Sequence, residues 1–271
     1  MKYKIIILCL IVNLYSVQLI SSNQIRLISD IPVLKDYIRI EIKKNSFAAW
    51  LGDLPLKESN SPVLDFRGHI FKTGDDTTVA EVIGWDIRGK RLEQCMDIIV
   101  RFYTEYLWGQ NQAGKLKLPL PGGYWLDWQS WKQGLRPFFK GIKVNMEATS
   151  HPDSTRQNFN KYLQTVFAES GTQQFYFAYK SIKRQQVQIG DFIIKKGVRG
   201  HAVLIVDIAV NPEGKMIALI GQGDTPACEF YLLNYNSDNP WFPLNFSKAT
   251  LPLPIKKKMI WDGLRRFELD K

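Results

Sequence analysis

Histidine and cysteine are scarce in this chain, with three of each in 271 residues. His69, His151 and His201 are scattered, and no two stand at ligand spacing, so a metal site has little to build on and no cofactor is expected. Internal repeats, low-complexity tracts, a basic helix and an RNA-binding aromatic motif are all missing. The cationic residues are dispersed rather than gathered into a stripe, which argues against nucleic acid as a partner. The N-terminal apolar run, Ile5 to Leu14, is too short to span a bilayer comfortably.

That run follows Lys2 and Lys4 and precedes the small residues Ser16, Ser21 and Ser22, the layout of a secretory signal peptide. The expected organisation is a signal peptide over 1–22, then a single α+β domain over 23–271 with an N-terminal elaboration. No transmembrane segment is expected after cleavage, and the mature protein would be exported, periplasmic or cell-surface. Cys9 lies inside the apolar run and not after a lipobox, so no lipid anchor is expected. Cys95 and Cys228 then remain. In an oxidising compartment they can form a disulfide, the main rival to any chemical use of Cys95. The formal charge of +10 suits an anionic envelope polymer or lipid headgroups as a partner.

What is present is a mixed pattern of short apolar runs and helical stripes, with 45% hydrophobic residues, enough for a full core. Gln188–Ile194 and His201–Asp207 read as buried strands bounded by glycine, with a polar turn between them. Asn211-Pro212-Glu213-Gly214 is a hairpin turn, and Met216–Asp224 returns as a third strand. Glu229–Leu233 is a further strand. Asp36–Ile42, Val63–Lys72 and Thr78–Ile87 also read as strands. Helices are expected over Ser46–Leu51, Arg91–Trp108, Ser154–Ala168 and Gln173–Lys180. The fold class is therefore α+β, an antiparallel sheet packed by helices.

Cys95 falls near the start of the Arg91–Trp108 helix, on its apolar stripe. A small buried hydrophobe is one reading; the other is a thiol whose ionisation the helix macrodipole favours. Asp97, Arg101 and Glu105 stand one turn apart as an i,i+4 ladder, worth about 0.3–0.5 kcal/mol a pair on an exposed face, and serve as structural supports. Trp125, Trp128 and Trp131 recur at spacing three, as core or lid packing or as a stacking platform for sugar rings.

Symmetric closure of the hairpin around Pro212-Glu213 places His201 opposite Asp224, with Gln222 further inward. Either side chain can hold the imidazole tautomer. Asp207 cannot, being six residues away on the same strand, roughly 20 Å. A thiol, a base within reach and an orienting third group are the parts of nucleophilic catalysis. A helix-borne Cys followed much later by a His on an antiparallel sheet is the order of papain-like cysteine hydrolases. The spacing Gly190-Asp191-x-Ile193 with Gly200-His201-Ala202-Val203 is also similar to NlpC-type amidases, which cleave cell-wall peptides.

Several motifs together carry a wider resemblance. They are Cys95-Met96-Asp97 with Arg101 and Glu105-Tyr106-Leu107; Lys161-Tyr162-Leu163 with Val166-Phe167 and Gly171-Thr172; Gly190-Asp191-Phe192-Ile193; Gly200-His201-Ala202-Val203; Val206-Asp207; Gln222; Pro226-Ala227; and Pro240-Trp241. From about Ser46 to the C-terminus the chain resembles the bacterial domain-of-unknown-function family four-eight-four-six. The resemblance implies an exported bacterial protein and transfers no activity. Its pattern has Cys, Gly-His and Gln at Cys95, His201 and Gln222, which favours Gln222 over Asp224 as orienter. Cys228 departs from the pattern, which usually has Gln there.

The expectation is thus a papain-like core arrangement and a cysteine hydrolase or amidase acting on a peptide or amide bond, including a cell-wall-derived substrate. Cys95 would be nucleophile, His201 base and Gln222 orienter, with Asp224 and the three Trp as binding residues. The alternative is a non-catalytic envelope-binding module for glycan or anionic polymer.

Overall fold

The computed structural model describes residues 25–197, 199–236 and 239–268; the expected signal peptide and Cys9 lie outside them. In chain order the strands are β1 (Ile38–Arg39), β2 (Val63–Leu64), β3 (Ile70–Lys72), β4 (Val79–Val82), β5 (Lys117–Pro119), β6 (Trp125–Asp127), β7 (Leu135–Lys140), β8 (Lys143–Ala148), β9 (Phe192–Lys195), β10 (His201–Val210), β11 (Met216–Gln222), β12 (Tyr231–Leu233), β13 (Trp241–Pro243) and β14 (Leu264–Arg265). The helices are α1 (Phe47–Gly52), α2 (Cys95–Gly109), α3 (Trp128–Lys132), α4 (Arg156–Glu169) and α5 (Thr172–Ala178).

The main sheet runs β14-β9-β10-β11-β12-β4, with β1 added to the far end of β10 and β13 to β11. Every pairing in it is antiparallel. With helices packed on it, the fold is α+β. The apolar run of β10 is continuous because both its faces are covered. Ala202, Leu204 and Val206 join the core under α2, while Val203, Ile205 and Ile208 face a second core closed by Phe242, Leu251, Met259 and Trp261.

The hairpin register is the one that symmetric closure requires at the end that matters. Leu204 pairs with Gly221 and Ile205 with Ile220. Nearer the turn the pairing slips by one, Val210 facing Met216, because a bulge at Val206 takes up a residue. Asp207, just past the bulge, is tied to Arg39 of β1 at 2.7 Å, well away from His201.

Two expected elements differ. The run Val63–Lys72 is not one strand but the β2–β3 pair. The Asp65 carboxylate accepts the N–H groups of Arg67 (2.8 Å) and His69 (3.0 Å), which folds the run back on itself. The strand expected over Asp36–Ile42 shrinks to Ile38–Arg39.

Helix α2 starts at Cys95 rather than Arg91. Gln94 is extended (φ −81°, ψ −163°), and its N–H is taken by the Asp97 carboxylate at 3.2 Å. The helix is also buried nearly all round and not along one stripe, since every residue from Cys95 to Leu107 except Glu105 is buried. The sheet covers one side. The other meets the aromatic layer of α3 and α4, where Trp108 lies 4.4 Å from Phe159 between ring centroids.

Candidate functional site

Cys95 is the first helical residue of α2 and is 6% exposed. The backbone N–H groups of Met96 and Ala202 act on its sulfur and favour charge there. The Ala202 N–H belongs to the peptide that joins His201 to Ala202, so the helix start and the mouth of β10 meet at the sulfur. Gly223 permits this approach, because a Cβ there would come within 2.9 Å of the Ile98 side chain and 3.7 Å of the Gln94 carbonyl oxygen.

His201 is 1% exposed, and its Nε2 lies 2.6 Å from Gln222 Oε1. Gln222 in turn donates its amide N–H to the Tyr231 hydroxyl at 2.6 Å, across the β11–β12 pair in which the two residues are directly opposite. The chain of donors assigns the tautomer. With the amide NH2 turned to Tyr231, Oε1 faces the ring, and an oxygen acceptor requires the proton on Nε2. Nδ1 then carries the lone pair. It is buried and has no hydrogen-bond partner among the described residues. Of the two side chains considered as orienter, Gln222 reaches the ring; Asp224 acts on it through charge only and takes the Thr225 N–H at 2.7 Å.

Burial opposes both charges here. The Cys95 thiol is pushed up to about 11, first by loss of water and then by the nearby Asp97, against the two backbone donors and the more distant Lys257. Thiolate stabilisation by the helix start does not win. Burial also lowers His201 below its ordinary value, against the Gln222 bond and Asp224. The resting pair is neutral on both sides, with no hydrogen bond from the imidazole to the sulfur. Cys228 is also a free, buried thiol, so no disulfide occupies Cys95.

A cleft of about 630 Å³ opens on this point. Gln94 and Cys95 form part of its wall, with Thr172 and Gln174 of α5, Arg199 of the β9–β10 turn and Lys257. Gln94 accepts a hydrogen bond from the Thr225 hydroxyl at 2.9 Å, which fixes its amide beside the sulfur.

The charge ladder on α2 is not the expected one. Arg101 is buried and pairs with Glu93 at 2.7 Å and Glu105 at 3.0 Å, while Asp97 caps the helix instead. Arg156 adds a second contact to Glu105. Burial raises the Asp97 carboxyl well above its ordinary value, against the Gln94 N–H it accepts.

Trp128 and Trp131 take the packing role, which removes them as a binding surface, while Trp125 is half-buried against Tyr179. Trp125 is on β6 and Trp128 begins α3, so the three do not share a helical face. Trp128 and Trp131 are 3% and 4% exposed, packed on Phe159 and Tyr162, and the Trp131 indole N–H donates to Asn158. No sugar ring has access to their faces.

Gln94, Glu93, Tyr231 and Lys257 were not singled out from the sequence. Gln94 and Glu93 flank Cys95, and Tyr231 follows from extending the strand register. Lys257 sits in a run of three lysines with nothing to mark it. Among the described residues no group of His, Cys, Asp and Glu is placed to hold a metal ion, and no helix is long and apolar enough to cross a membrane.

No curated protein and no solved structure matches the chain. A family model matches most of it, residues 27–259, and by that match the chain belongs to the family described as domain of unknown function 4846.

Proposed function

We infer that the protein is a cysteine hydrolase that cleaves a peptide or amide bond, with a papain-like disposition of Cys95, His201 and Gln222. One observation carries this reading: Cys95 stands at the edge of an open cleft within reach of the Ala202 N–H, next to His201, while Gln222 leaves the imidazole Nδ1 as the free base.

A neutral pair works by general-base attack rather than from a preformed thiolate. As Sγ adds to the carbonyl carbon, its proton passes to His201 Nδ1. Catalytic hydrogen bonds commonly tighten when substrate binds, and the imidazole then closes on the sulfur. The Gln94 amide and the Cys95 backbone N–H are placed to meet the oxyanion. The C–N bond then breaks, and the imidazolium returns its proton to the leaving amine. Water, deprotonated by the same nitrogen, cleaves the thioester to a carboxylic acid and restores the thiol.

The signal-peptide layout of residues 1–22 supports export, and the Gly200-His201 spacing shared with NlpC-type amidases supports a cell-wall peptide as substrate. The binding-module reading retains the positive charge as support, but the burial of Trp128 and Trp131 takes away its platform. The test is hydrolysis of a purified cell-wall peptide digest, followed by mass spectrometry. New amine and carboxylate termini should appear with the wild type and vanish with Cys95→Ala and with His201→Ala. Cleavage that survives Cys95→Ala sinks the mechanism.

A further inference from the structure

The cleft beside Cys95 has two cations on its wall, Arg199 and Lys257, and a single acid, Asp97. Asp97 is buried beneath the helix start, where its carboxylate accepts the Gln94 N–H at 3.2 Å. Asp224 is not part of the wall, and one of its oxygens is taken by the Thr225 N–H.

Lys257 is the unusual member. Of the other partly buried lysines, Lys57 pairs with Glu229 at 2.7 Å and Lys72 with Asp76 at 2.8 Å, while Lys90 and Lys132 have no carboxylate partner among the described residues but lie away from this cleft. Lys257 is equally half-buried, yet among the described residues its ammonium meets only the Gly200 carbonyl oxygen, at 3.4 Å. Its charge acts on both Cys95 and His201. The cleft is shaped around this loop. A Cβ on Gly200 would stand 1.9 Å from the Thr172 hydroxyl and 2.8 Å from the Lys195 carbonyl oxygen, so the turn carrying Arg199 lies tight against α5.

An unpaired cation in a concave, partly dehydrated site focuses its field on the cavity and raises the local concentration of anions. The rest of the wall, Gln94, Thr172, Gln173, Gln174 and Thr225, is neutral and polar and adds donors without opposing charge. We propose that this cleft is a subsite for a substrate carboxylate next to the scissile amide, held by Lys257 with Arg199 as its outer partner. The substrate class is then an acidic peptide and not a neutral or basic one. This specificity rests on Cys95 being the nucleophile, and the experiment below separates the two.

The full-length protein is alkylated in parallel with iodoacetate and iodoacetamide, which differ by one carboxylate, and labelling is read on the tryptic peptide Leu92–Arg101. The ratio of the two rates is compared with that of N-acetylcysteine. The expected ratio at Cys95 is raised about tenfold, the equivalent of ~1.4 kcal/mol. It should fall several-fold in Lys257→Met, persist in Lys257→Arg, and shrink in wild type at high salt. A ratio equal to that of N-acetylcysteine and indifferent to Lys257 and salt overturns the subsite and leaves the nucleophile standing. No labelling by either reagent at pH 11, where a thiol titrating near 11 is half ionised, overturns the nucleophile instead. The subsite is then decided by glutarate titration followed on the Met96 methyl resonance: a shift lost in Lys257→Met supports it, and no shift removes it.

Discussion

His201 and Gln222 are joined by a 2.6 Å hydrogen bond that decides which imidazole nitrogen is the base. The same amide holds Tyr231.

Gln222→Leu should therefore orphan two buried groups, the His201 Nε2–H and the Tyr231 hydroxyl, at about 1–3 kcal/mol each. Urea unfolding measures the loss. In the wild type, nitrogen-15 NMR should find His201 as the Nε2–H tautomer, titrating below its ordinary 6.5. Because the folded value is lowered, the unfolded chain binds the extra proton first. The His201 contribution is intact above about pH 6.5 and declines as pH falls from there towards the folded value. Desolvation drives this shift; Lys257 and Lys195 add to it, and Gln222 and Asp224 oppose it. An Nδ1–H tautomer, or a raised value, contradicts the assignment.

The Cys95 thiol should titrate near 11 in the substrate-free protein. Alkylation rate against pH reads it directly. Asp97→Asn removes a negative neighbour and should move the midpoint down, while Lys257→Met removes a positive one and should move it up. A wild-type midpoint at or below the ordinary thiol value of about 8.5 would mean a preformed thiolate pair and refute the general-base route.

Arg101 should matter far more than a surface ladder would. Arg101→Met leaves Glu93 as an unpaired acid in the interior, while Glu105 keeps Arg156, and should cost about 3–5 kcal/mol. Adding Glu93→Gln should restore part of that, since the Glu93 Oε2 already lacks a partner among the described residues. Equilibrium denaturation of the single and double variants checks both. A loss below ~1 kcal/mol for the single change would show an exposed pair instead.

Much of the site was readable in one dimension because strands obey a period of two and a hairpin turn sets their register. The turn Asn211-Pro212-Glu213-Gly214 and the apolar runs on either side bring Gln222 to His201. The bulge at Val206 was not readable, yet it lies beyond the site and leaves that end unchanged. The ladder was misread because a helical wheel shows neighbours on one helix only. Glu93 lies before the helix begins, and it reaches Arg101 because Gln94 is extended. The Trp spacing misled in the same way, since a strand-to-helix break at Trp128 separates residues that a continuous helix would align.

By itself the sequence determined the α+β class, the main strands and helices, and the hairpin register that left Gln222 or Asp224 as partner of the imidazole, since local periodicity and turn chemistry act over a few residues. Only the tertiary structure decided that α2 is covered on both sides, that its thiol is neutral, and that Lys257 stands unpaired beside it. Those outcomes depend on which distant segments exclude water from a given atom, and that information belongs to packing in three dimensions.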